Sequence, residues 1–146
     1  MHIGIKDGFT IYNNQIIKWD FCFEELKEFC EKNNIDYQSE LTDKVMKISC
    51  PIEFANLGET IGTFYFSNNI INIVYITGEN CFDFNIERYL LVNEKLKNYF
   101  GKPKQNKKSK TSWKFDSVEV KHFYINKDGE MMEYLTVENA SKYQNH

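Results

Sequence analysis

The sequence predicts an α+β fold: two helix-plus-antiparallel-strand repeats, with the helices packed on one face of an antiparallel sheet. Three observations predict it. The phrases Thr63-Phe64-Tyr65-Phe66-Ser67-Asn68-Asn69 and His122-Phe123-Tyr124-Ile125-Asn126-Lys127-Asp128 each run an aromatic strand into a polar turn. Each phrase follows a segment with helical apolar spacing, and each of those segments ends at a residue suited to positive φ, Asn34 or Gly101. Similarity recurring at a distance is the mark of an internal duplication. The expected organisation is one domain over residues 1–146, with repeats of about 9–79 and 80–138 and a short tail, 139–146.

The elements follow in chain order. Phe9-Thr10-Ile11-Tyr12 and Gln15-Ile16-Ile17-Lys18 flank Asn13-Asn14 as a tight hairpin. Asp20 is placed to cap a helix over Phe23 to Asn33, where Phe23, Leu26, Phe29 and Cys30 form one apolar stripe. Met46 and Ile48 fall in a strand, and an extra loop from Pro51 to Gly58 distinguishes the first copy. A second helix runs from Ile86 to Phe100 with Tyr89, Val92, Leu96, Tyr99 and Phe100 on its apolar side, stopped by Gly101 and Pro103. Trp113 opens the following strand and reads as core, matching Met46.

Parity assigns the sheet faces. A two-residue turn at Asn68-Asn69 pairs Phe66 with Ile71 and Phe64 with Ile73, leaving Tyr65 beside Asn72. In the second hairpin, Lys127-Asp128-Gly129 with glycine in a bulge pairs Ile125 with Met131 and turns Phe123 and Ile125 inward. Tyr65, Asn72, His122, Tyr124 and Tyr134 are then expected together on the uncovered face, as partner-binding residues.

Composition narrows the function classes. Aromatic residues reach 16%, but Asn, Lys, Ile, Phe and Tyr are plentiful together, so the aromatic count alone says little. The net charge of −3 is unevenly spread: residues 1–73 hold 6 basic and 11 acidic side chains, and residues 74–146 hold 12 and 10. That asymmetry suits steering of a partner more than retention of a polyanion. Cys22, Cys30, Cys50 and Cys81 lack paired spacing and read as buried thiols. No basic start followed by an apolar run is present, so no signal peptide or membrane span is expected and a reducing cytoplasm is the expected compartment.

The chain carries no HExxH, no paired cysteines, no calcium-type acidic loop and no glycine-rich phosphate loop, so neither a metal nor a cofactor is expected. Nor does a nucleophile stand in a glycine-flanked elbow, and no catalytic residue or enzymatic activity is expected. His122 alone offers a general base for a small enzyme or ligand pocket, an alternative reading. A further alternative is polyanion binding by Lys102-Pro103-Lys104-Gln105-Asn106-Lys107-Lys108-Ser109-Lys110, against the simpler view of a solvated connecting loop. Lysines without arginine or interleaved aromatics give little recognition geometry, so nucleic acid is not the expected partner.

The tandem helix-and-sheet pattern, with Phe100-Gly101-Lys102-Pro103 closing a helix and an aromatic strand at Trp113-Lys114-Phe115, resembles the β-lactamase-inhibitor-protein type of fold, as in small bacterial immunity and inhibitor proteins. The first copy departs from it, with Asn34 in place of glycine and no proline at the equivalent spacing. What the resemblance implies is a protein-binding module whose uncovered sheet face blocks a partner toxin or enzyme.

Overall fold

Ten strands and two helices make up the described residues, 4–12, 14–78 and 84–140, of a computed structural model. Asn13, Cys81 and the tail from Ser141 onward lie outside them. In chain order the elements are β1 (Gly8–Thr10), β2 (Ile16–Lys18), α1 (Phe23–Lys32), β3 (Gln38–Leu41), β4 (Met46–Ile52) and β5 (Thr60–Ser67). There follow β6 (Ile70–Gly78), α2 (Ile86–Phe100), β7 (Gln105–Lys107), β8 (Lys110–Phe115), β9 (Val118–Lys127) and β10 (Glu130–Asn139). β1 and β2 form a two-stranded sheet, and the other eight strands form one antiparallel sheet in the order β3-β4-β5-β6-β10-β9-β8-β7.

The fold is mostly β, which corrects the expected α+β class. Among the described residues α-helix occupies the ten residues of α1 and the fifteen of α2, and in place of two helix-plus-strand repeats a single sheet runs unbroken through the β6–β10 pairing. The strands that the sequence pattern does not announce are the two edges. β3 is exposed at every position, and β7 has only three residues in a lysine-rich segment, so neither shows the alternation of a half-buried strand.

Helix α2 has the expected limits. Asn85 Oδ1 accepts from Arg88 N at 3.1 Å, and Gly101, at φ 89, closes the last turn by donating to Lys97 O at 2.8 Å. At the start of α1 the cap residue is Cys22 rather than the expected Asp20. Cys22 donates its backbone N–H to Glu25 Oε1 at 2.9 Å, a bond that holds the exposed Glu25 carboxyl below its ordinary range. A second N-terminal donor, Phe23 N, is met from across the fold by Asn69 Oδ1 at 3.0 Å. The turn of the β5–β6 hairpin therefore caps the first helix. As expected, Asn34 is left-handed, at φ 56.

Both central hairpins close through two residues with positive φ, Asn68 and Asn69 at 54° and 61°, and Asp128 and Gly129 at 54° and 87°. Such turns match the twist of antiparallel strands. The second turn thus has no bulge glycine, and Met132 pairs with Ile125 while Glu133 pairs with Tyr124. Superimposing the two turns carries Phe64 onto Tyr124, one residue away from the Phe123 expected. A one-residue slip moves every side chain of a strand to the opposite face. In the first hairpin the register shifts between Tyr65 and Phe66, so Asn72 is an extra residue in β6: Tyr65 pairs with Ile73 and Phe64 with Val74, whereas Phe66 still pairs with Ile71.

The covered face is consequently Ile48, Cys50, Phe64, Phe66, Val74, Val137, Val120, His122 and Trp113, all buried. Phe23 of α1 meets Phe66 edge-on, with ring centroids 5.6 Å apart, and Phe100 of α2 meets Trp113 at 5.8 Å. The β1–β2 hairpin joins the same layer through Phe9, 5.2 Å from both Trp19 and Phe64. Trp113 is core as expected, and its Nε1 donates to Gly101 O at 2.9 Å, fixing the strand to the helix stop.

The cap across the fold is testable. Asn69→Ala removes the acceptor for Phe23 N and puts a side chain less suited to φ 61 in the turn, and a loss of about 1–2 kcal/mol in urea unfolding is expected. Asn68→Gly, one position earlier with no bond to α1, is expected to leave stability within about 0.5 kcal/mol.

Candidate functional site

The face opposite the helices carries a continuous aromatic row. Tyr65 on β5 lies 5.4 Å from Tyr75 on β6, Tyr75 lies 6.2 Å from Tyr134 on β10, and Tyr134 stacks on Phe123 of β9 at 5.4 Å. The strands β5, β6, β10 and β9 are consecutive neighbours, so the rings cross the middle of the sheet. Each ring is half-buried, mainly against the next, and edge-to-face contacts of this kind add roughly 0.5–1.5 kcal/mol apiece beyond burial. Burial raises the Tyr75 phenol above its ordinary pKa, and the neighbouring Tyr65 and Tyr134 add to the rise.

Around the row lie apolar and charged groups in a mixed pattern. Met132 and Ile125 are cross-strand partners, 38% and 42% exposed, and extend the apolar strip toward the second hairpin turn. Lys47 stands 5.6 Å over the Tyr65 ring, and Lys121 bridges Glu138 at 3.3 Å and Glu119 at 3.9 Å. An apolar centre with a charged margin is the usual anatomy of a protein-binding patch.

Of the five residues expected on this face, Tyr65 and Tyr134 are there. His122 and Tyr124 are not. With β9 slipped by one residue, both point under α2, where Tyr124 packs 4.9 Å from Tyr89 and 4.8 Å from Phe84. Asn72 sits in the β6 bulge, where its Oδ1 is buried without a hydrogen-bond partner among the described residues. Tyr75 and Phe123 are the two members of the row that parity from the expected turns misses. The signal for Phe123 is present in Asp128-Gly129, a dipeptide that favours a two-residue turn, and the signal for Tyr75 depends on placing the bulge.

His122, fully buried, belongs to a polar network under α2. Its Nε2 lies 2.7 Å from Glu133 Oε2, and its Nδ1 lies 3.0 Å from Asn93 Oδ1. Asn93 Nδ2 donates to Thr111 Oγ1 at 3.0 Å, which leaves its Oδ1 to accept from the ring. Both ring nitrogens therefore have a polar partner within hydrogen-bond distance, one on the helix and one on the sheet. Arg88 Nη2 stands 3.5 Å from the other Glu133 oxygen, Tyr89 stacks on the imidazole at 4.1 Å, and the Tyr89 hydroxyl donates to His122 O at 3.0 Å.

Glu133 and Arg88 also border a cavity of about 850 Å³, between α2 and the sheet, with Leu91, Ile76 and Met131 among its walls. His122 does not line it. Of Lys102–Lys110, expected as a loop, Gln105–Lys107 instead form β7, Lys108 and Ser109 a tight turn, and Lys110 the start of β8.

Replacing His122 by leucine leaves the buried Asn93 and the half-buried Glu133 opposite an apolar group. A loss of about 3 kcal/mol or more in denaturant unfolding is expected. A second check uses alkali. Burial pushes the Tyr89 phenol up to about 12, with Glu133 and Tyr124 adding to the rise, so the neutral phenol is favoured in the folded chain. Its contribution is full below the ordinary tyrosine value near 10 and is lost as pH rises toward 12. Tyr89→Phe is therefore expected to lose less stability than the unmodified chain between about pH 10 and 12.

No helix among the described residues is long and apolar enough to cross a membrane. Comparison of the chain with protein-family models, with curated proteins and with solved structures finds no match.

Proposed function

We propose that the chain is a protein-binding module that acts through the helix-free face of its sheet, in the manner of a cytoplasmic immunity protein or inhibitor that neutralises a partner toxin or enzyme. The observation that carries this reading is the unbroken row Tyr65, Tyr75, Tyr134 and Phe123 across four adjacent strands. No element covers it among the described residues. Tyrosines suit the role because they supply large contact area with few torsions to freeze, and each keeps a hydroxyl for the partner. Their mutual packing holds the rings in place before binding, which lowers the ordering cost of association.

A second reading rests on the cavity beside α2, where Glu133 and Arg88 offer opposite charges to a small ligand between apolar walls. Thermal-shift screening of Glu133→Gln against the unmodified chain tests it: ligand stabilisation confined to the unmodified chain favours that reading, and equal response contradicts it.

The binding reading predicts that Tyr75→Ala with Tyr134→Ala weakens partner affinity at least about tenfold while unfolding stays cooperative. Proteins retained from the native cell by the immobilised chain, compared side by side with this variant, provide the check. Equal retention of every protein contradicts the proposal.

A further inference from the structure

The row of rings does not stop at Phe123. Across β9 and β8, Phe123 is the direct partner of Lys110, and across β8 and β7, Lys110 is the direct partner of Lys107. Tyr134, Phe123, Lys110 and Lys107 thus form one cross-strand line over β10, β9, β8 and β7. Lys114 and Lys127 project on the same face by parity, and none of these four lysines is in an ion pair among the described residues. Like charges directly opposite one another across a hairpin are unfavourable. The arrangement costs stability in the free chain and is relieved by an anionic surface laid over it.

Lysine at a sheet edge also discourages strand addition, and that role alone would explain its exposure. The opposite edge argues against protection as the whole explanation. β3, Gln38–Leu41, is equally exposed and contains no lysine. Nor is the surface built for nucleic acid: Glu119, Glu130 and Glu138 share the face, no arginine lies on it, and the whole chain has a net charge of −3.

Resting on the binding reading above, we propose that the partner is a protein with an acidic patch beside an apolar one, the apolar part seated on Tyr75, Tyr134 and Phe123 and the carboxylates over Lys110 and Lys107. The lysines steer the encounter and the rings hold the complex.

The test uses poly-L-glutamate and a DNA duplex of about 20 base pairs as probes of the full chain, followed by amide chemical shifts at low salt. Poly-L-glutamate is expected to move Lys107, Lys110 and Phe123 together, and Lys107→Glu with Lys110→Glu is expected to weaken that binding at least about tenfold. Lys102→Glu with Lys104→Glu, an equal charge change outside the row, is expected to weaken it much less. Equal weakening by the two variants, tighter binding of the duplex than of poly-L-glutamate, or no shift at the row overturns the proposal. Capture from the native cell separates it from the reading beneath. A partner lost by Tyr75→Ala/Tyr134→Ala but retained undiminished by Lys107→Glu/Lys110→Glu overturns the acidic partner and upholds the binding face, whereas a partner retained by both overturns both.

Discussion

His122 is the point at which helix, sheet and the helix-free face are fixed together. Its ring joins Asn93 of α2 to Glu133 of β10, and its position on β9 decides the direction of every neighbour on that strand. With His122 inward, Val118, Val120 and Tyr124 point under α2, and Phe123 must point the other way to stack on Tyr134. A buried histidine is tolerable only where both nitrogens find partners, and this is the place in the fold where a helix amide and a strand carboxylate meet it. Buried polar networks of this kind favour one register over its alternatives, because a slip by one residue exposes the histidine and strands its two partners.

The same constraint explains which features are legible in the sequence. Helix α2 is legible to its ends because apolar spacing, Gly101 and Pro103 all agree. The hairpins are legible as hairpins, but their faces are not. A triplet such as Phe123-Tyr124-Ile125 has large apolar or aromatic residues on both sides of the pleat, so alternation does not choose between the faces, and the turn length has to decide. The edges β3 and β7 leave almost no trace, since an exposed strand held on one side needs no apolar period. Without those edges and the β6–β10 join, a mostly β sheet reads as two smaller units.

The candidate face is half legible. Parity finds Tyr65 and Tyr134, the slip puts Tyr124 and His122 on the wrong side, and the extra residue at Asn72 hides Tyr75. The lysine-rich segment reads as a loop, and its geometry changes its meaning. Folded back as β7 and β8, Lys107 and Lys110 continue the line of rings and become part of one surface. Aromatic contact area in the middle and positive charge at one end is a division of labour suited to recognising another protein.

That division depends on Phe123 and Tyr124 lying on opposite faces. An aromatic-selective nuclear Overhauser experiment on the full chain measures this directly. The predicted result is cross-peaks from the Phe123 ring to the Tyr134 ring, from Tyr134 to Tyr75, and from Tyr124 and His122 to Tyr89. Cross-peaks from Phe123 to Tyr89, with none to Tyr134, would contradict it.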